Sequence, residues 1–206
     1  EASVQDVPIA VSAYSEEMLD RLQIDDTLDL INVVPNLFGG NNTGLGTANM
    51  YYLRAQGNDE SISTFDPPVG TYVDDVYITR QNVNNVALFD VERIEVLRGP
   101  QGVLFGRNSA GGTLNIISKM PTEDLTGALG LTVGNYEKRS LSGTISGPLG
   151  AGVRGRLTLL ANQRDGIYRD VVSGRRYQNE DNLAGRLTLA IDASDRLEIV
   201  LRADAS

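Results

Sequence analysis

Two stretches of the 206-residue chain bring together residue types that could do chemistry. Glycines crowd Asp90 to Lys119, DVERIEVLRGPQGVLFGRNSAGGTLNIISK, as they do in loops that cradle phosphate. The phosphate-loop pattern G-x-x-x-x-G-K-[ST] also needs a lysine and a hydroxyl at its end, and Gly99, Gly102 and Gly106-Arg107-Asn108 supply neither. That argues against a nucleotide-binding enzyme. Asp74-Asp75 offers paired carboxylates, yet neighbours in an extended strand point to opposite faces and do not converge without a turn. Histidine and cysteine are absent, which excludes imidazole and thiolate metal sites and Cys-His or Ser-His-Asp catalysis within the chain. A carboxylate-only site stays open. The expectation is no enzyme activity, no catalytic residue, no bound metal and no cofactor.

The elements around these stretches follow from periodicity and punctuation. Ile94 and Val96, then Leu114, Ile116 and Ile117, form two strands joined by a glycine-hinged turn and short helix. Upstream, Val7 to Val11 is a short β-prone run. Ser15 is a plausible cap for a helix over about 16–22, with Glu16 and Glu17 in its first turn and Met18, Leu19 and Leu22 as its apolar stripe. Asp26 opens a second amphipathic helix through Leu28, Leu30, Ile31, Val33 and Val34, which Pro35 ends. Residues 39–49, GGNNTGLGTAN, read as a loop, and Asn41-Asn42-Thr43 also matches a glycosylation sequon, accidental in a bacterial protein. Met50 to Arg54 is strand-like, Val69 to Ile78 holds two short β runs around the acidic pair, and residues 79–85 form a polar loop.

The pattern changes after Pro121. Leu125, Leu129, Leu131 and Val133 alternate with Thr126, Ala128, Gly130 and Thr132, and four further segments, around 140–146, 153–164, 183–191 and 196–202, repeat the period. One apolar and one polar face on strands near ten residues long is the signature of a transmembrane β-barrel, although a soluble sandwich gives the same period. Connections at Gly147–Gly152 and Asp192–Asp195 are short, whereas Asp165–Asp181 is long and polar, as in barrels with short periplasmic turns and long outer loops. The turn near Asn135-Tyr136-Glu137 is short and fits less well. Five strands cannot close a barrel, so the chain reads as a fragment with most of the barrel absent after Ser206.

Charge divides at the same place. Residues 1–120 carry 16 acids and 7 bases and residues 121–206 carry 11 of each, within a net charge of −9. Nucleic acid is therefore not an expected partner. No apolar run is long enough for a transmembrane helix, and the N-terminus lacks signal-peptide character, so an exported protein would already have lost that segment. We take 1–120 as one domain and 121–206 as another.

Val91 to Pro100, VERIEVLRGP, followed by Leu104-Phe105-Gly106 and Ala110 to Ile117, AGGTLNII, closely resembles the plug domain of TonB-dependent outer-membrane receptors. Val7 to Val11, Pro35-Asn36, Leu53 to Gly57 and Tyr72-Val73-Asp74 look like further landmarks of that family. Ala55-Gln56 separates Arg54 from Gly57 where many relatives have arginine and glycine adjacent, which puts the local turn in question. The resemblance implies an α+β plug, with a small mixed sheet and short helices, over residues 1–120. The first antiparallel strands of a transmembrane barrel, incomplete here, would follow over 121–206.

What the family does then becomes the expectation: active transport of a scarce nutrient across the bacterial outer membrane, most often a ferric siderophore. Cobalamin, a glycan or a small aromatic is an alternative cargo, and a soluble β-rich binding module an alternative function. By resemblance the plug sits inside the barrel, open to the periplasm, and gates it. A TonB protein driven by an inner-membrane motor would pull on a TonB box expected just before Glu1, and outer-membrane lipid would surround the barrel. Ligand would meet the apical plug loops, for which Asn41, Asn42, Thr43, Asn49, Arg80, Gln81, Asn82 and Asn84 are the candidates. Arg54 and Arg98 match plug arginines that pair with barrel glutamates as a latch.

Overall fold

Alternation and turn chemistry account for most of the elements. The computed structural model describes residues 10–42, 47–60 and 66–206, and the chain divides into two compact units, Glu1–Lys119 and Met120–Ser206. The first unit contains β1 (Ala10–Ser15), α1 (Glu16–Leu22), a 3-10 turn (Asp29–Asn32), β2 (Leu37–Asn41), β3 (Asn49–Leu53) and β4 (Gln56–Gly57). It continues with β5 (Val69–Val73), β6 (Val76–Tyr77), a second 3-10 turn (Gln81–Val83), β7 (Val91–Arg98), α2 (Gly102–Phe105) and β8 (Gly112–Ser118). The second contains β9 (Thr126–Gly134), β10 (Lys138–Gly150), β11 (Val153–Arg164), β12 (Tyr168–Arg169), β13 (Arg176–Tyr177), β14 (Glu180–Ser194) and β15 (Leu197–Ala205).

In the first unit the principal sheet has the order β1-β7-β8-β5-β6. It is mixed, because β5 runs parallel to β8 while the other pairs are antiparallel. Ile94, Val96, Leu114 and Ile116 of the two central strands are all 0% exposed and form the centre of the core with Leu30, Leu53 and Val69. Burying each such side chain contributes about 1.5–3 kcal/mol. A second, three-stranded sheet has the order β2-β3-β4.

Several expectations about this unit need correction. The 39–49 stretch is not wholly loop: Gly39, Gly40 and Asn41 pair in β2 with Tyr51, Met50 and Asn49, because a partner strand lies within reach and its hydrogen bonds outweigh the glycines' entropy. The second helix contracts to the 3-10 turn Asp29–Asn32. Its bonds run from Ile31 N to Leu28 O and from Val33 N to Leu30 O, both 3.1 Å, and β-branched Ile31, Val33 and Val34 oppose longer helix. In α1 only Leu19 of the apolar stripe is buried, with Met18 and Leu22 exposed. Ser15 is the last residue of β1 and forms no side-chain cap, and the run expected from Val7 lies outside the described residues up to Ala10. Asp74 and Asp75 are not extended. Both have positive φ, 49° and 66°, and make the two-residue turn between β5 and β6, where the Asp74 carboxylate accepts the Ser118 N–H at 2.9 Å. Arg54 and Ala55, with φ of 53° and 63°, make the same kind of turn between β3 and β4, so Ala55-Gln56 is accommodated as the second turn residue and the start of β4.

The second unit is an antiparallel meander in the order β9-β10-β11-β14-β15, with β12 and β13 as a small hairpin between β11 and β14. Its five long strands follow the alternation of the sequence. Leu129, Leu131, Leu141, Leu159 and Leu183 lie exposed on one face, while Ser146, Thr158, Thr188, Arg156 and Arg186 on the other are buried. β9 and β15 are the outer strands of this sheet, and it does not close on itself.

Gly112 opens β8 with φ of +144°, and a Cβ there would stand 2.2 Å from Leu97 O and 2.5 Å from Leu53 Cδ2. Only glycine tolerates both the conformation and the contact. Gly112→Ala is expected to destabilise the first unit by about 1–3 kcal/mol, read as a lowered urea midpoint for its unfolding.

Candidate functional site

Amide side chains fasten the loops that the sequence marks for ligand contact. Asn49, at the start of β3, faces Asn41 at the end of β2, and Asn41 Nδ2 donates to Asn49 Oδ1 at 2.8 Å. The 80–85 segment is clamped to the same strand: Asn49 N–H donates to Asn84 Oδ1 at 2.7 Å, and Asn84 Nδ2 donates to Asn49 O at 2.9 Å. A side-chain amide here replaces a strand neighbour, satisfying donor and acceptor of a buried backbone unit. The remaining Asn49 protons reach Tyr51 OH at 2.7 Å and Asn85 Oδ1 at 2.9 Å.

The network continues to the start of the first 3-10 turn. Thr27 Oγ1 donates to Asn84 O at 3.0 Å and accepts from Val86 N at 3.1 Å. Asn85 Nδ2 donates to Asp26 Oδ2 at 3.1 Å. Asp26 Oδ1 accepts from Leu28 N and Asp29 N, while Asp29 Oδ2 accepts from Asp25 N and Asp26 N, so the two acids cap the turn reciprocally. Burial first, then the neighbouring Asp29 charge, raises the Asp26 carboxyl above its ordinary value of 3.8. Burial likewise pushes the Tyr51 phenol well above its usual range.

The eight candidate ligand residues therefore separate by burial. Asn42, Asn49, Gln81 and Asn84 are 7%, 0%, 5% and 3% exposed. Asn84 spends its amide on the Asn49 backbone, and Asn49 spends its own on the side chains of Asn41, Tyr51 and Asn85. Gln81 is different, because its Oε1 is buried without a hydrogen-bond partner among the described residues. Asn41 is half-buried, Arg80 and Asn82 are exposed, and Thr43 lies outside the described residues. Sequence reasoning missed Thr27, Tyr51 and Asn85, and read Asp26 only as a helix start. The Asp26-x-x-Asp29 spacing was the available signal for the cap, but nothing local ties Thr27 to residues 57 and more positions downstream.

Arg54 and Arg98 come together at Gly99. Arg54 projects from the β3–β4 turn, and its Nη1 lies 3.0 Å from where a Gly99 Cβ would stand. Arg98, the last residue of β7, directs Nε toward Ala10 O at 3.4 Å. Neither arginine makes an ion pair among the described residues. Positive φ of 101° at Gly99 carries the chain away and leaves room for the Arg54 guanidinium. No group of three or more acidic side chains converges among the described residues in a way that could hold a metal ion.

A mixed-sheet unit with amide-clamped loops, followed by an open meander with one apolar face, defines a plug and the beginning of an outer-membrane type barrel. Residues 3–113 match the TonB-dependent receptor plug domain, and the chain belongs to that family. It is 30% identical over 203 residues to the ferric enterobactin receptor PirA of Pseudomonas aeruginosa, a match covering 90% of this chain and 27% of the relative. It is 24% identical to the probable TonB-dependent siderophore receptor PiuA of Acinetobacter baumannii, over 95% of this chain and 24% of that protein. Among solved structures, the ferric yersiniabactin uptake receptor FyuA of Yersinia pestis superposes with a TM-score of 0.85 at 27% identity, over 95% of this chain and 31% of the other. The chain thus spans about a quarter of the length of these curated relatives.

Two outcomes are expected from the amide network. Asn84→Ala would strand the buried Asn49 N–H and C=O, costing about 1–3 kcal/mol, read as lost hydrogen-exchange protection at Asn49 and the residues beside it. A folded pKa above the unfolded value gives Asp26 a stabilising contribution that is complete below pH 3.8 and lost as pH rises through the raised folded value. Asp26→Asn, which keeps the Oδ1 acceptor, should flatten the pH dependence of the plug's urea midpoint across that window.

Proposed function

We propose that this chain is the plug and first barrel strands of a TonB-dependent receptor that imports a ferric siderophore across the bacterial outer membrane. The observation that carries this reading is the direct succession, at Lys119–Met120, of a plug fold and a β-meander whose apolar face is open. Leu129 is 89% exposed and Leu131, Leu183 and Val133 are 73–75% exposed. A contiguous apolar surface of that kind suits lipid and is a liability in water, which disfavours a soluble binding module. The relatives named for ferric enterobactin, siderophore and ferric yersiniabactin uptake favour iron over cobalamin, glycan or an aromatic cargo.

Within this reading Asn41, Arg80 and Asn82 face the ligand from the plug's outer loops, while Gln81 is buried. Thr43, outside the described residues, stays a candidate of the same kind. Asn42, Asn49 and Asn84 hold these loops in place. The receptor works without catalysis: TonB, driven from the inner membrane, pulls on the plug, and Arg54 and Arg98 resist through carboxylates of the barrel wall. Arg54 is exposed and Arg98 half-buried in this chain; once enclosed by a barrel wall a guanidinium needs such a partner, since stranding a buried charge costs about 3–5 kcal/mol.

In the complete receptor, deletion should abolish uptake of radiolabelled ferric enterobactin under iron starvation, and iron starvation should induce the protein. Unchanged uptake with no induction would reject the iron reading. Arg54→Gln with Arg98→Gln is expected to raise sensitivity to a large antibiotic that the closed barrel excludes. Unaltered sensitivity would remove the latch role alone.

A further inference from the structure

The chain passes from the first unit to the second at Lys119–Met120, and it is fastened on both sides of that point. On the first side β8 ends with its backbone donors taken. Ser118 N–H is held by the Asp74 carboxylate at 2.9 Å and Lys119 N–H by Asp90 O at 3.0 Å. The Lys119 ammonium also pairs with Glu16 at the start of α1.

On the second side the chain is bound down before β9 begins. Thr122 N–H donates to Ser146 Oγ of β10 at 2.9 Å, and Thr122 Oγ1 lies 2.9 Å from the same oxygen and 3.1 Å from Thr126 Oγ1. Ser146 is 1% exposed, and hydrogen bonds shielded from water in this way are strengthened. Glu123 Oε1 then meets Arg154 Nη1 at 2.7 Å, while Arg154 Nη2 serves Glu198 at 2.7 Å and Asp192 at 3.2 Å. An exposed ion pair alone holds little. This guanidinium is different, because only 17% of its side chain is exposed and it ties the segment to β14 and β15 at once. Leu125 finally runs so close to β10 that a Cβ on Gly147 would stand 2.8 Å from Leu125 Cα.

Met120 and Pro121 alone lie between the two fastenings. Three peptide steps from Lys119 Cα to Thr122 Cα reach about 11 Å at most, and proline fixes one of the few soft dihedrals available. A hinge needs residues that can absorb a large backbone change, and this connection offers almost none. The strand that it holds is also the best secured of the plug's sheet: β8 is paired on both sides, with β7 and β5, whereas β1 lies at the edge.

We propose that Thr122 and Glu123 are an anchor. They clip the connecting chain to β10 and β11, so that the end of β8 stays fixed while the plug rearranges. The inference rests on the transport reading and deepens it, since gating then opens the plug within its own sheet and not by a swing on the connection.

Cysteine is absent from this chain, so a designed pair can bridge without competition from it. In the complete receptor, Thr122→Cys plus Ser146→Cys turns the clip into a disulfide, with folding checked by the heat-modifiable mobility of the barrel. The oxidised receptor is expected to take up radiolabelled ferric enterobactin at the native rate. Uptake lost on oxidation and regained on reduction would mean that the connection must release, which overturns the anchor. A second variant asks whether the anchor is needed: a Gly-Ser insertion of about six residues between Met120 and Pro121 gives slack without removing any contact. Uptake should then be lost while ligand binding is kept, and native uptake in the slack receptor overturns the proposal. Hydrogen exchange reads the clip apart from transport. Thr122 N–H should lose protection about tenfold in Ser146→Ala, and an unprotected Thr122 N–H in the native receptor sinks the anchor whatever the cargo. A receptor that protects Thr122 N–H but takes up no ferric siderophore keeps the clip and overturns the transport reading.

Discussion

Register between β7 and β8 is the constraint on which the rest of the plug depends. Ile94 pairs with Ile116 and Val96 with Leu114, and all four side chains are withdrawn completely from water. A slip of one residue would turn every one of them to the opposite face, at about 1.5–3 kcal/mol for each side chain exposed. Holding that register fixes where Arg98 ends β7, where Gly112 begins β8 against it, and therefore where the Gly99 bend receives Arg54. The arginine pair is thus a remote product of apolar alternation in the central strands.

The polar loops around Asn49 and Asn84 obey a different rule. Their residues are polar, and composition alone assigns such residues to solvent. Yet Asn49 and Asn84 lie deep because two segments far apart in sequence each lack a strand neighbour and complete one another through amides. The polar atoms of Asn49 and Asn84 are then satisfied inside the fold, and half-buried Asn41 and exposed Arg80 and Asn82 stand on that base. Position in a loop told little about exposure there, because the deciding partner is brought by tertiary structure.

Much of the fold was legible in the sequence for the same physical reasons that it forms. Period-two alternation located the five long strands of the second unit, and the Asp90–Lys119 stretch located β7, α2 and β8. Short-range devices were harder to read. Asp74-Asp75 and Arg54-Ala55 carry no glycine, so nothing local announced residues with positive φ, although Asp is among those that tolerate it. The 3-10 turn after Asp26 shows the complementary case, a correct cap followed by a shorter element than the apolar pattern suggested. Of the site, residue types were readable and burial was not, since Thr27 and Asp26 join it through contacts that reach more than fifty positions along the chain.

On the apolar face of the second unit, leucines lean over glycines of adjacent strands. Positions for a Cβ at Gly143, Gly155 and Gly185 lie 3.4 Å from Leu129, 2.6 Å from Leu149 and 3.1 Å from Leu159. Each large side chain therefore occupies the width of two positions. Enlarging the glycine alone crowds the leucine, and trimming the leucine alone opens a dent in the apolar face. Sequence drift on this face should proceed by exchanges across the strand pair, small for large and large for small, so that descendants keep the smooth contour while changing which strand provides the bulk.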